Sequence, residues 1–154
     1  MRVKGFPPFL TEGDILVVGS FPSVKSRETS FYYGNRQNRF WRVLAEAFSC
    51  PCPDTLAEKQ ALLVLSKVSL WDVVTECNIV GSMDKDIKDP VLADLPALLS
   101  EHPFKKILAN GATAYTLLMN AYPELSSFTV KMPSTSPANG RFDKSVWLKE
   151  IGAV

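Results

Sequence analysis

Three stretches of this chain carry residue types that could do chemistry together. The first is Gly19-Ser20-Phe21-Pro22-Ser23, a glycine–proline turn directly after an apolar run. A turn this tight can present backbone N–H groups, those of Ser20 and Phe21 first, to a polar ligand. The second is the segment 31–41, where Phe31, Tyr32, Tyr33, Phe40 and Trp41 alternate with Arg36, Arg39, Asn35 and Asn38. An exposed aromatic face stacks any nucleobase, and nearby arginine meets phosphate. Phe40 and Trp41, opening an amphipathic run, read as core; for Tyr32 and Tyr33 a base platform and a core position stay equally open. The third is Pro133-Ser134-Thr135-Ser136-Pro137, a proline-stiffened loop of hydroxyls flanked by Lys131 and Arg141. It reads either as a rigid surface turn or as a grip on a phosphate backbone.

Elements must bring these stretches together. The run Ile15-Leu16-Val17-Val18-Gly19 predicts a strand buried on both faces, as in a parallel sheet. Residues 20–37 read as a long loop. Apolar residues at Phe40, Val43, Leu44, Ala47 and Phe48 predict a helix over 38–48, with Asn38 at its N-cap. Asn35, after Gly34, reads as a turn residue. Thr55 and Glu58 form a capping-box signature that starts a helix to residue 66. Strands are predicted at 68–74, 105–109 and 128–132, and helices at 112–121 and 142–151. Asp89-Pro90 predicts a helix start running to residue 100.

Strand and helix alternate, which predicts an α/β fold: parallel strands joined by right-handed crossovers, with helices on both faces. Ligands on such sheets bind beyond the carboxyl ends of the strands. The loops after Gly19 and Met132 leave those ends. They also carry the basic charge: Lys25, Arg27, Arg36, Arg39 and Arg42 against Glu28, and Lys131, Arg141, Lys144 and Lys149 against Asp143. The region 72–101 is acidic instead. A phosphate-bearing ligand is the expectation, although the net charge is only +1.

The chain has 154 residues, 46% hydrophobic and 21% charged, enough for one globular domain over 1–154 with its own core. This excludes general disorder. No apolar run reaches the roughly 18–20 residues needed to span a bilayer, and the start lacks the apolar stretch of a secretory signal. Three cysteines, Cys50, Cys52 and Cys77, make a disulfide framework an unsuitable reading and an intracellular, cytoplasmic compartment the expectation. Three thiols without a nearby histidine also fall short of a four-ligand zinc set. The single histidine, His102, reads as a surface or packing residue, and Asp84 and Asp86 as a solvated loop.

GSFPS at 19–23, YYGNRQNRFW at 32–41 and MPSTSPAN at 132–139, with LWDVV at 70–74, GSMDKDI at 81–87 and ILANG at 107–111 in the same order, resemble the uracil-DNA glycosylase superfamily. Within it the hypoxanthine-DNA glycosylase (DNA-deoxyinosine glycosylase) family is the nearest likeness. The resemblance implies a three-layer α/β/α sandwich around a four-stranded parallel sheet. It implies hydrolysis of the N-glycosidic bond of a deaminated base in DNA, hypoxanthine first and uracil second, leaving an abasic site. No metal or organic cofactor is implied, and the expected form is a monomer acting on DNA and not on membranes, nucleoid-associated in a bacterium.

The resemblance also implies roles. Tyr33 stands where the superfamily stacks the flipped base on phenylalanine. Ser20 and Phe21 offer backbone donors to the base. Ser134 grips a phosphate beside Ser136, Pro137 or Ala138 sits near the gap left by the flipped base, and Lys131 and Arg141 flank them. Two polar groups common in the superfamily are replaced here, by Phe21 in the first motif and Met132 in the last. The catalytic duty then passes to Asn38, which can orient water and stabilise charge but cannot take a proton near neutral pH; slow turnover is the consequence. Arg36 replaces a usual proline. A catalytically decayed DNA-binding module, a mismatch-specific uracil-DNA glycosylase and a small-molecule enzyme are the alternatives.

Overall fold

A computed structural model describes residues 2–80 and 84–152; residues 81–83 of the GSMDKDI stretch lie outside the described residues. Four strands form a parallel sheet: β2 (Ile15–Gly19), β3 (Val68–Asp72), β6 (Lys106–Asn110) and β7 (Thr129–Met132), in the order β3-β2-β6-β7. Side chains alternate across it, as the pleat requires. Val17, Leu70, Leu108 and Met132 face a core shared with Phe40, Leu44, Leu63 and Trp147. Those residues come from α2 (Phe40–Ala47), α3 (Leu56–Ser66) and α6 (Lys144–Ile151). Leu16, Val18, Ile107 and Ala109 face the opposite core, closed by Leu95 and Leu98 of α4 (Leu95–Glu101) and Ala114 and Leu118 of α5 (Ala112–Ala121). The expected three-layer α/β/α sandwich is therefore present.

Local signals explain most boundaries. The Thr55–Glu58 capping box forms, with Glu58 N–H donating to Thr55 Oγ1 at 3.1 Å and Thr55 N–H to Glu58 Oε1 at 2.9 Å. His102 packs as expected, stacked on the Phe104 ring and bonded to the Thr11 carbonyl.

The structure corrects four expectations. Residues 20–37 are not one loop, because α1 (Val24–Thr29) forms there, capped by Ser23. The strand expected over 68–74 is two strands: the chain breaks at Val73, and β4 (Val74–Asn78) enters a second, antiparallel sheet with β1 (Arg2–Lys4) and β5 (Lys88–Leu92), in the order β1-β4-β5. Asp89-Pro90 does not start a helix. It lies in β5, an edge strand, where proline's missing N–H costs no ladder bond; α4 is capped by Asp94, whose carboxylate accepts the Ala97 N–H at 3.1 Å. Finally, α2 begins at Phe40, two residues after the expected Asn38.

The break at Val73 also anchors the turn after β2. Val73 N–H donates to Gly19 O at 2.7 Å and Val74 N–H to Ser20 O at 3.0 Å. The turn is thus pinned where β3 hands the chain to the second sheet.

Candidate active site

A cleft of about 580 Å³ opens at the carboxyl ends of the parallel strands. That is within the usual range for a small-ligand site. Four segments form most of its lining: the turn after β2, the segment before α2, the β6–α5 connection from Asn110 to Thr113 and the loop after β7. Ser20, Phe21, Tyr33, Asn38, Ser134, Ser136 and Pro137 are all in its wall. Of the expected site residues, Lys131 and Arg141 do not join them; both are exposed on the protein surface outside the lining. Lys25 and Lys85 supply the lining cations instead.

Tyr33 is half-buried and its backbone is left-handed, with φ of 52°. An aromatic residue rarely adopts this conformation. It is held by the Trp41 indole, whose Nε1 donates to Tyr33 O at 3.1 Å, and by the Phe40 ring, 4.5 Å away between centroids. Tyr32, for which exposure stayed open, is core: only 2% of it is accessible, and its hydroxyl donates to Pro7 O at 2.8 Å. Phe40 and Trp41 are core as expected.

The Tyr33 hydroxyl is buried beside the Asn110 side chain and makes no hydrogen bond of good geometry. Burial, and then the nearby Asp72 carboxylate, push its acidity far below that of an ordinary phenol, so the ring is neutral at every physiological pH. Asp72 ends β3 with 4% accessibility and lines the same cleft. It pairs in register with Gly19 of β2. A Cβ on Gly19 would lie 2.6 Å from Asp72 Oδ1 and 3.2 Å from Tyr33 Oη, so only glycine lets the strand end approach both groups.

Asn38 is half-buried at the rim. Its Oδ1 accepts the Phe40 N–H at 2.9 Å, which satisfies one of the open amides of the first turn of α2. The N-cap position of α2 is held by Arg39 and not by Asn38 as expected, yet the Asn38 side chain serves a first-turn amide and also lines the cleft. One lone pair of Oδ1 and both N–H groups of the amide remain for a ligand.

The loop after β7 is held from beneath. Thr135 is buried; its N–H donates to Asn110 Oδ1 at 3.0 Å, and Asn110 Nδ2 donates to Thr135 Oγ1 at 2.9 Å. Trp147 Nε1 donates to Pro133 O at 2.7 Å. Gly111, the N-cap of α5 at φ of 98°, lies against Ser134, whose Cβ an added side chain would meet at 3.1 Å. Ser134 and Ser136 thus sit on a preformed loop. Phe21 also packs against the small cluster of Val74, Cys77 and Ile79 at the second sheet, with the Arg27 guanidinium 5.9 Å from its ring centre.

Sequence reasoning missed Asp72 and Asn110 as site residues. Each is a polar residue ending an apolar strand, at the end where such sheets bind ligands; that position was the available signal.

Fold and site together define an α/β/α protein with a nucleoside-sized cleft at the carboxyl edge of a parallel sheet, aromatic at one wall and hydroxyl-lined at another. The chain belongs to the uracil DNA glycosylase superfamily, whose family model matches residues 7–151. It is 35% identical over 150 residues to a hypoxanthine DNA glycosylase of Methanosarcina acetivorans, covering 94% of this chain and 93% of that protein. A hypoxanthine DNA glycosylase of Methanosarcina barkeri is 31% identical over the same shares of both chains. The solution structure of a candidate uracil DNA glycosylase from Methanosarcina acetivorans superposes with a TM-score of 0.84 at 32% identity, over 98% of this chain and 97% of that one.

Proposed function

We propose that this chain is a DNA repair glycosylase that hydrolyses the N-glycosidic bond of hypoxanthine, and secondarily of uracil, and leaves an abasic site. The observation that carries this reading is the meeting of Tyr33, Asp72, Asn38 and the Ser134–Ser136 loop in one cleft.

The target bond is hidden in the duplex, so the nucleotide must be extruded before reaction. The extruded base stacks on the Tyr33 ring. Its Watson–Crick edge meets the Asp72 carboxylate. Deamination turns an acceptor ring nitrogen into an N–H donor: N1 in hypoxanthine, N3 in uracil. A buried carboxylate accepts that N–H and repels the bare nitrogen of adenine or cytosine. Selection for deaminated bases results from this one reversal, and a site built around a buried polar group rejects the wrong partner strongly.

Bond cleavage builds positive charge on the sugar and negative charge on the departing base. Water attacks C1′ and gives up a proton to solvent, and the base leaves with the bonding pair and takes up a proton from solvent in turn. Asn38 holds the water through the free lone pair of its Oδ1 and cannot accept the proton itself. The backbone of Ser20 and Phe21, fixed by the Val73 and Val74 bonds, faces the departing base. Ser134 and Ser136 offer donors to the phosphates on either side, and Pro137 fills space near the vacated stack. Lys25 and Lys85 add favourable charge at the mouth of the cleft.

A single copy supplies every group named, which supports a monomer. The three cysteines are free thiols, which suits the reducing interior of a cell; among the described residues no helix is long and apolar enough to cross a membrane.

Labelled duplexes carrying deoxyinosine, deoxyuridine or only normal bases, incubated with the protein and then with alkali, test the reading. Cleavage at deoxyinosine and deoxyuridine alone is the expected pattern. Cleavage at none of them removes the enzyme.

A further inference from the structure

Arg39 lies in the most basic stretch of the chain and beside Asn38, where an arginine of a DNA-binding protein would ordinarily be read as a phosphate contact. Its bonds point elsewhere. The guanidinium Nη1 donates to Ser136 O at 3.0 Å and to Asn139 O at 2.9 Å. The Arg39 N–H donates to Thr135 O at 3.0 Å. Its Cζ stands 5.0 Å from the centre of the Phe142 ring. One residue therefore reaches three carbonyls of the loop after β7 and rests on the ring just beyond that loop. The reciprocal bonds of the loop, Asn139 Nδ2 to Ser134 O at 3.0 Å and Ser136 N–H to Ser134 Oγ at 3.2 Å, close the turn around the guanidinium.

We propose that Arg39 is a positioning residue: it clasps the loop 134–139 to the start of α2 and so fixes where Ser134 and Pro137 stand relative to Asn38. Asn38 and Arg39 are adjacent in the chain, so any shift of the clasped loop is registered directly at the water-holding amide. Both bonds leave one planar Nη1, whose two N–H directions are fixed in the guanidinium plane resting on Phe142, whereas a lysine ammonium is a point donor on a flexible stem. Among the described residues, Arg39 makes the hydrogen bonds that join the start of α2 to this loop. Displacements of about 1 Å in a reacting geometry cost on the order of a hundredfold in rate.

The rate arm of the test rests on the glycosylase reading; the exchange arm does not. Single-turnover base release at saturating deoxyinosine duplex is expected to fall by about ten- to a hundredfold in Arg39→Lys. Guanidinium ion is expected to restore part of the rate to Arg39→Ala. In Arg39→Gln, the slope of log affinity against log salt on undamaged duplex is expected to match the unsubstituted protein; loss of a phosphate contact would lower it by about 0.9. Amide exchange at Thr135 and Asn139 is expected to speed up in all three variants while the middle of α2 stays protected. Phe142→Leu, which keeps the guanidinium but removes the ring beneath it, is expected to give a smaller change of the same sign and covers the case in which the Arg39 variants fail to fold. A salt slope lowered by about 0.9 with unchanged release and exchange would make Arg39 a phosphate ligand and overturn the proposal. If the unsubstituted protein released no base, the glycosylase reading would fail, and exchange at the loop would still decide the role of Arg39.

Discussion

Asp72 and Gly19 face each other across the parallel pair β3–β2, and the Asp72 carboxylate stands over the glycine Cα where a side chain would otherwise be. Strand register alone delivers a buried acceptor to the floor of the cleft beside the Tyr33 ring.

Gly19→Ala tests that approach. The added methyl meets Asp72 Oδ1 and the Tyr33 hydroxyl, and neither can retreat far. Overpacking of this kind costs about 1–3 kcal/mol. Thermal unfolding should show the loss, and base release should drop by at least about tenfold as the carboxylate is displaced.

Asp72→Asn keeps the shape and removes the charge. An amide can turn either its oxygen or its nitrogen to the base, so it no longer repels the bare ring nitrogen of adenine. The expected result is a narrower ratio of release between hypoxanthine and normal bases, by about ten- to a hundredfold, on a panel of duplexes. An unchanged ratio would remove Asp72 as the reader of the base edge.

Tyr33→Phe separates ring from hydroxyl. The hydroxyl is buried without a hydrogen bond of good geometry, so its removal should change stability by less than about 1 kcal/mol and leave release intact. Tyr33→Ala removes the platform and should weaken binding of the extruded base by about 1–3 kcal/mol. The acidities of Tyr32 and Tyr33 are both weakened by burial first and by Asp72 second. A raised folded-state pKa means full stability below the unfolded value near 10.0 and progressive loss above it. Alkaline unfolding beyond that pH should therefore be blunted in Tyr32→Phe, provided its lost bond to Pro7 is allowed for.

Substitutions can divide the observed bond of Asn38 to the Phe40 N–H from the catalytic duty proposed for it. Asn38→Ala loses the bond to the Phe40 N–H and should cost about 1 kcal/mol of stability as well as most of the activity. Asn38→Asp keeps an acceptor for that N–H, so unfolding should match the unsubstituted protein and any change in release belongs to the water site alone.

Much of the sandwich is legible in the chain because its signals are local. Ile15–Gly19 and the Thr55–Glu58 box report themselves through apolar runs and cap spacing. The second sheet is not legible. β1 is three residues with no apolar period, and β5 contains Asp89 and Pro90, which local rules assign to a helix start. Its strands exist because Val73 and Val74 turn away under the Gly19 and Ser20 carbonyls, a contact between segments more than fifty residues apart. α1 escapes notice because VKSRET has no apolar stripe and depends on the Ser23 cap.

The same division runs through the site. The three loops are visible as motifs, and they do converge. Tyr32 could not be placed from sequence, since its burial depends on the Pro7 carbonyl and the Phe6 ring. Lys131 and Arg141 flank the third motif in sequence but not the cleft in space. Asp72 lies in a quoted motif, yet its part in the cleft depends on its pairing with Gly19.

The central claim is that this cleft breaks one bond in an extruded nucleotide. The direct measurement is quantification of free base and abasic strand from a deoxyinosine duplex under single-turnover conditions. The account predicts hypoxanthine and abasic sites in equal amounts, with both lost together in Asn38→Ala. Tight binding to that duplex with no base released, at any enzyme excess, would contradict it.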